Sequence, residues 1–317
     1  MLLLFEYVVV AALVVYLSIK ASEYIDMLDK TTDLSGAFLG GVLLSAVTSL
    51  PELFTSISAT VLLNKPSLCI GNILGSNLFN VAILALLGIV AIRGFRRATV
   101  AKGNIAVTYF VLLIYVVLIL NWFNILDFEI ATLNVVTFVI VALYLFGVRY
   151  LAGDNGDKCD CEDKTIVLTT RQIAVRFAAV SVGIISLSIL MTYITDDIAD
   201  EYNIGMGLAG AIFLGVATSL PEVSSTIALF RMKNYNVAVG NIIGSNLFNF
   251  VVLCIADLFC FRGNVYDYSD PKVDNLLMFG CVATLAMLPA LRSKNCAVKV
   301  VCLAAVVACY AAFLLVD

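Results

Sequence analysis

Long apolar stretches alternate with short polar connections along the whole chain, which is the pattern of a protein that crosses a membrane many times. A helix needs about 20 apolar residues to cross the roughly 30 Å hydrocarbon layer of a bilayer. Ten stretches are candidates when the chain is cut at charged and turn-forming clusters: about 2–19, 35–63, 68–91, 103–123, 129–148, 172–194, 207–230, 237–261, 274–291 and 296–316. The pattern predicts an all-α membrane protein with ten transmembrane helices.

The first stretch has no basic residue ahead of it and no clear small-residue cleavage site before Lys20. This favours a retained span over a signal peptide.

The basic residues predict an orientation, because Lys and Arg collect in cytoplasmic loops. If the loops alternate sides, one side holds only Lys65, Arg262 and Lys272, and the other side holds all the remaining Lys and Arg residues. We therefore expect an integral protein of the cell membrane with both termini outside and the central loop in the cytoplasm.

Two motifs occur twice in the chain. Thr-Ser-Leu-Pro-Glu at 48–52 recurs unchanged at 218–222, and the ten residues 71–80 recur at 240–249 with one change. Each copy lies in a set of five predicted spans, an odd number, so the second copy enters the membrane from the opposite face. The sequence thus predicts two inverted-topology repeats, an architecture of many secondary transporters.

The domain boundaries follow from this duplication. The first five-helix repeat is predicted at 1–150, a cytoplasmic linker at 151–171 and the second five-helix repeat at 172–317. In the linker, Cys159 and Cys161 lie among acidic residues. Because two Cys cannot complete a tetrahedral metal site, we interpret this segment as a solvated linker and not as a regulatory metal or redox site.

Glu52 and Glu222 lie near the middle of the second and seventh predicted spans. An ionisable group at the bilayer centre costs about 2.5–3.5 kcal/mol on insertion scales, so such residues usually form an ion path or a binding site. We predict that these two carboxylates form the centre of the functional site.

A proline precedes each of these acids. Pro51 and Pro221 lack an N–H group and crowd the carbonyl four residues earlier, so both helices are expected to bend and to release carbonyl oxygens around Thr48 and Thr218. Freed carbonyl oxygens are ligands for hard cations.

Hydroxyl and amide side chains at helical spacing complete a predicted oxygen cage. They are Ser49, Ser219, Ser76, Ser245, Asn80, Asn249, Asn77 and Asn246. A site made only of oxygens matches calcium, which takes 6–8 oxygen ligands, and the absence of thiol and imidazole near the motifs argues against zinc or copper. The glycine pairs Gly71/Gly75 and Gly240/Gly244 are expected to let helices approach closely.

Composition narrows the class of protein. The 317 residues are 62% hydrophobic and 13% charged, with a net charge of -4 and no His. This excludes the basic stripe of a nucleic-acid-binding protein, and without His no Ser/His or Cys/His catalytic pair exists. An intramembrane enzyme is disfavoured. A passive calcium channel remains a remote alternative, because channels usually build their acidic rings from several subunits.

The repeated Thr-Ser-Leu-Pro-Glu and Gly-Asn-x-x-Gly-Ser-Asn motifs resemble those of the calcium/cation antiporter superfamily, which includes archaeal sodium/calcium and proton/calcium exchangers. The resemblance implies that Glu52 and Glu222 coordinate calcium and that the Thr48 and Thr218 carbonyls assist. It assigns the competing cations to Ser49, Ser219, Ser76 and Ser245.

The resemblance also implies that the first and sixth spans slide over the other eight to alternate access. Calcium would be the transported substrate. No cofactor and no obligate protein partner beyond the lipid bilayer are expected.

The counter-ion is a proton or sodium. Archaeal sodium/calcium exchangers that resemble this chain commonly carry Asp at the position of Asn249, whereas here Asn80 and Asn249 are both amides. Two carboxylates hold one Ca²⁺ or two protons with equal charge, which favours proton/calcium exchange. Sodium/calcium exchange on the same site is the alternative, since Ser and Thr oxygens suffice for monovalent cations.

Overall fold

The computed structural model describes residues 2–62, 66–126, 128–130, 133–153, 168–201, 215–260, 265–266 and 271–316. Within these ranges the protein is a bundle of helices. They are α1 (Leu2–Thr31), α2 (Gly36–Phe38), α3 (Ser45–Thr48), α4 (Leu50–Ile57), α5 (Pro66–Val90), α6 (Ile92–Arg97), α7 (Lys102–Trp122), α8 (Val135–Ala152), α9 (Thr170–Glu201), α10 (Gly215–Arg231), α11 (Tyr235–Phe259), α12 (Pro271–Arg292) and α13 (Cys296–Val316). Two π-helical segments, Leu39–Leu44 and Ser58–Leu62, extend the chain around α3 and α4.

Eight of the described helices are long and apolar enough to cross a membrane, and the bent pair Gly36–Thr48 and Leu50–Ile57 makes a ninth span if it is counted as one. The predicted seventh span, 207–230, falls partly on residues 202–214, which lie outside the described residues; α10 carries the rest of it. Residues 154–167, with Cys159 and Cys161, also lie outside them.

The two helices that carry the Gly-Asn motifs form the centre of the bundle. In their most apolar stretches, 61% of the residues of α5 and 72% of those of α11 are buried, against 17% for α1 and 17% for α13. Large apolar side chains on the periphery are exposed, as Val301 and Leu315 are. Apolar side chains on the periphery can lie against lipid, so this distribution fits a bundle whose polar interior is shielded from the bilayer.

The first helix is longer than predicted, since it continues past residue 19 to Thr31. Its polar end is stabilised by ion pairs at helical spacing, Lys20 with Glu23 and Lys30 with Asp26, both at 2.7 Å. Opposite charges three or four residues apart lie on the same side of a helix and stabilise it. The count of apolar residues did not include this effect.

The fifth predicted span, 129–148, begins too early. Glu129–Ile130 and Leu133–Asn134 form a short antiparallel hairpin (β1 and β2), and α8 starts only at Val135. The Asn134 side chain caps this helix by accepting from the Val136 N–H at 3.0 Å. The purely α-helical prediction is therefore wrong at this loop, because a capping Asn ends the extended segment and starts the helix.

The π-helical segment Leu39–Leu44 packs directly on α11. A side-chain carbon at Gly244 would overlap the backbone of Gly41, and one at Gly240 would lie 3.0 Å from the Gly41 nitrogen. The predicted close approach therefore occurs at the second glycine pair. The first pair differs, since a carbon at Gly75 would meet nothing within 4 Å in the described structure and one at Gly71 only a methyl of Val273 at 3.9 Å.

We expect Gly244→Ala to lower the free energy of unfolding by about 1–3 kcal/mol, because its methyl group would have to displace the backbone of Gly41. The matched control is Gly75→Ala at the corresponding position of the other motif, where the added methyl meets open space. Thermal unfolding in detergent measures both variants. Equal unfolding temperatures for the two would contradict the packing contact.

Candidate cation site

Glu52 and Glu222 meet in the interior of the bundle. Glu52 lies in the first turn of α4 and Glu222 in α10, and each residue is only 1% exposed. Their carboxylates are close enough to repel each other electrostatically. The fold thus brings together two acids that are 170 positions apart in sequence.

The backbone bends beside the first acid. The helical segments Gly36–Thr48 and Leu50–Ile57 meet at an angle of 40°, and Ser49 between them has non-helical dihedral angles of φ -92° and ψ 5°. Pro51 cannot donate to the carbonyl four residues earlier, so a break at this point costs little. Pro221 lies inside α10, which is helical on both sides of it, and the bend predicted there stays a prediction. A single missing N–H removes only one helical hydrogen bond.

Hydroxyl groups link each half to the acid of the other. The Ser49 hydroxyl donates to Glu222 Oε1 at 3.0 Å. The Thr218 hydroxyl is hydrogen bonded to the carboxylate of Glu52. The Thr48 hydroxyl lies 3.4 Å from the Ser245 hydroxyl on α11. One oxygen of each carboxylate is therefore hydrogen bonded to a hydroxyl group that comes from the opposite motif.

A reciprocal amide network joins α5 to α11 beside the acids. Asn80 Nδ2 donates to Asn246 Oδ1 at 3.0 Å, and Asn249 Nδ2 donates to Asn77 Oδ1 at 2.9 Å. Asn77 Nδ2 also donates to the Asn246 carbonyl at 3.3 Å, and Asn246 Nδ2 to the Asn77 carbonyl at 2.9 Å. Every bond has a counterpart in which the two motifs exchange places.

Four buried acceptor oxygens in the repeated motifs have no hydrogen-bond partner within the described structure. They are Glu52 Oε2, Glu222 Oε2, Asn80 Oδ1 and Asn249 Oδ1. Buried oxygens are nearly always paired, since an unpaired one costs about 1–3 kcal/mol. Two carboxylate and two amide oxygens, one of each from each motif, are therefore available to a cation.

Two amides of the predicted cage are hydrogen bonded at both polar ends. The side chains of Asn77 and Asn246 use their oxygen and their nitrogen within the amide network. Ser76 and Ser219 are buried on α5 and α10, where they were predicted to lie.

A further layer of polar contacts, which the sequence pattern did not predict, supports the motif helices. Asn72 Nδ2 donates to the Ser56 hydroxyl at 3.4 Å, and its counterpart Asn241 donates to Ser225 and Thr226 at 3.0 and 3.1 Å. The available signal was the hydroxyl residues that follow each Pro-Glu pair by one helical turn. These contacts fix the Pro-Glu helices against the Gly-Asn helices.

A membrane-crossing bundle that buries two carboxylates and two unpaired amide oxygens between its central helices has the construction of an ion transporter. The chain belongs to the sodium/calcium exchanger protein family, whose model matches residues 3–152 and 173–316. It is accordingly a transporter of the exchanger type and not an enzyme.

Individual proteins and one solved structure are also similar to this chain. The chain is 27% identical over 256 residues to the inner membrane protein YrbG of Escherichia coli, covering 76% of this chain and 74% of that one. It is 24% identical over 220 residues to the uncharacterized membrane protein MJ0091 of Methanocaldococcus jannaschii, with 68% of each chain covered. A structure of the sodium-calcium exchanger NCX_Mj soaked with sodium and calcium has the same fold, with a TM-score of 0.74, 19% identity and 98% of both chains covered.

Proposed function

We propose that this protein exchanges calcium for protons across the cell membrane by alternating access, with Glu52 and Glu222 as the shared binding groups. The observation that carries the proposal is the set of unpaired oxygens, Glu52 Oε2, Glu222 Oε2, Asn80 Oδ1 and Asn249 Oδ1. Buried acceptors without donors are stabilised by a cation.

Calcium fits these ligands because it accepts 6–8 oxygens of mixed type in flexible geometry. The carboxylates of Glu52 and Glu222 supply the charge, and the amide oxygens of Asn80 and Asn249 supply neutral ligands. The carbonyls of Thr48 and Thr218 are assigned to the same ion. Within the described residues no group of three or more His, Cys, Asp or Glu side chains forms an alternative metal site.

Charge balance supports protons as the counter-ion. In the part of the chain that the structure describes, no Lys or Arg forms an ion pair with either acid, and both acids are fully enclosed. Two uncompensated buried carboxylates are costly, so the site requires two positive charges in every state. One Ca²⁺ or two protons meet this requirement equally.

The two halves are proposed to be inverted repeats, 1–150 and 172–317, each with five spans. The reciprocal amide bonds between 77–80 and 246–249 support a pseudo-twofold relation between the motifs. In the proposed orientation both termini lie outside and the linker 151–171 lies in the cytoplasm, because most Lys and Arg residues fall on that side.

The moving elements are proposed to be α1 and α9. Val10 and Val14 of α1 pack with Met191, Ile194 and Ile198 of α9 in a cluster separate from the main core. Two helices that share their own apolar cluster can shift together against the bundle while keeping their mutual contacts. This supports the sliding mechanism that the family resemblance implies.

Sodium/calcium exchange is the second candidate. The family model is that of sodium/calcium exchangers, and NCX_Mj is one of them. The Thr48 and Ser245 hydroxyls, 3.4 Å apart, are neutral oxygens of the kind that monovalent cations use.

Calcium flux in proteoliposomes separates the two candidates when a pH gradient and a sodium gradient are imposed in turn. We expect calcium uptake to follow the pH gradient and to be indifferent to sodium. Uptake driven by sodium at constant pH would show that sodium and not the proton is the counter-ion. Uptake that needs neither gradient and does not respond to cations on the trans side would indicate a channel.

A further inference from the structure

A basic cavity of about 880 Å³ lies where the end of α5, the short helix α6 and the connection from α10 to α11 meet. Its lining includes Val90, Arg93, Arg97, Lys233 and Tyr235. It is separate from the cation site and none of its residues belongs to the repeated motifs. In the proposed orientation it opens at the cytoplasmic surface of the bundle.

Three cations converge on this cavity from distant parts of the chain. Arg93 and Arg97 are four residues apart on α6, and Lys233 comes from the other half of the protein. The ion pairs among the described residues involve only Lys20 and Lys30, so none of the three has an acidic partner there. All three residues are exposed, and their combined positive charge would attract an anion to the cavity.

The backbone at Lys233 carries a second signal. Its φ of 61° lies in the left-handed region, where Gly or Asn is accommodated at lower cost than Lys. The residue follows the end of α10, with its N–H bonded to the Phe230 carbonyl at 3.1 Å. The turn itself therefore does not favour Lys over Gly or Asn.

The wall of the cavity is held rigidly. Lys299 is 1% exposed, and its Nζ lies 3.5 Å from the Phe95 carbonyl and 4.5 Å from the centre of the Phe95 ring. On the same helix, Gly94 leaves no room for a side chain beside the Tyr235 ring. Lys299 thus packs against α6 through Phe95.

The rim of the cavity next to α5 is apolar and faces outward. Val90 is 77% exposed and Leu86, one turn earlier, is 47% exposed. Side chains of this kind at the surface of a transmembrane helix lie against acyl chains. A cationic pocket bounded by lipid-facing side chains fits a ligand with a negative headgroup and an apolar tail.

We propose that this cavity binds the phosphate headgroup of an anionic phospholipid of the cytoplasmic leaflet, with Arg93, Arg97 and Lys233 as its ligands. Basic pockets between transmembrane helices on the cytoplasmic side hold such headgroups. The proposal rests on the proposed orientation of the chain but not on the identity of the transported ions.

Thermal unfolding of the purified protein in detergent tests this site without any transport measurement. The midpoint is followed during titration with short-chain phosphatidylglycerol, with phosphatidylcholine of the same chain length and with inorganic phosphate, because a ligand that binds the native state raises the midpoint. The variants are Arg97→Gln and Lys233→Asn, the second of which retains a residue suited to the left-handed turn. Lys294→Asn, an exposed lysine outside the cavity, is the matched control.

We expect phosphatidylglycerol alone to raise the midpoint, with an apparent affinity about fivefold lower in each cavity variant and unchanged in Lys294→Asn. Equal titrations for the wild type and both cavity variants would overturn the proposal. Equal stabilisation by phosphatidylcholine would also overturn it. Stabilisation by inorganic phosphate that depends on the same residues would show that the ligand is a soluble anion and not a lipid. Midpoints measured without ligand check that each variant is folded.

Discussion

Glu52→Gln and Glu222→Gln should each reduce calcium exchange by more than about 100-fold. Each substitution keeps the shape of the side chain but removes one of the two charges that face the cation in a fully buried site. Removing one partner of a buried charge pair costs about 3–5 kcal/mol, and every 1.4 kcal/mol is a factor of ten in affinity. Calcium uptake into proteoliposomes under an opposing pH gradient measures the loss.

The two variants should fail equally, because the hydroxyls of Ser49 and Thr218 hold the two acids from opposite motifs. Glu201→Gln is the control, since this carboxylate is exposed at the end of α9. We expect it to transport normally. Normal exchange by either buried variant would remove that residue from the proposed site.

The centre of this site could be predicted from sequence because charge in an apolar stretch is rare and because the motif is repeated. A lone Glu in a span has several explanations, whereas Glu52 and Glu222 in identical five-residue settings have one simple explanation, a shared site. The structure places the two acids together. The role of each neighbouring amide depended on orientations that spacing does not encode, so Asn77 and Asn80 were indistinguishable until their hydrogen bonds were known.

The errors in the fold have local causes. Counting apolar residues ended the first helix before Lys20, although ion pairs continue it to Thr31. The same count placed the strands Glu129–Ile130 and Leu133–Asn134 inside a span, because Ile and Leu suit both a strand and a helix. In each case short-range hydrogen bonding, which hydropathy does not report, decided the outcome.

Asn249→Asp should lower the rate of proton-driven calcium exchange at least about tenfold. The Oδ1 of Asn249 is buried and unpaired, so the substitution adds a third negative charge to the buried motif residues. Calcium then leaves one charge unbalanced, and an additional proton or sodium ion is needed to offset it. A buried charge without a partner costs several kcal/mol, well above the 1.4 kcal/mol of a tenfold change.

The symmetry of the amide network sharpens this test. Asn80→Asp adds the same charge from the other motif, and its Oδ1 is likewise unpaired, so it should lower the proton-driven rate to the same extent. Asn121→Asp places a carboxylate at a buried amide that bonds the Leu126 carbonyl, away from the site, and measures the general cost of a buried acid. Initial rates of calcium uptake with and without sodium distinguish these cases. If Asn249→Asp and Asn80→Asp kept the proton-driven rate of the wild type, a third carboxylate would leave the required number of cations unchanged. The charge of the site would then not determine the counter-ion.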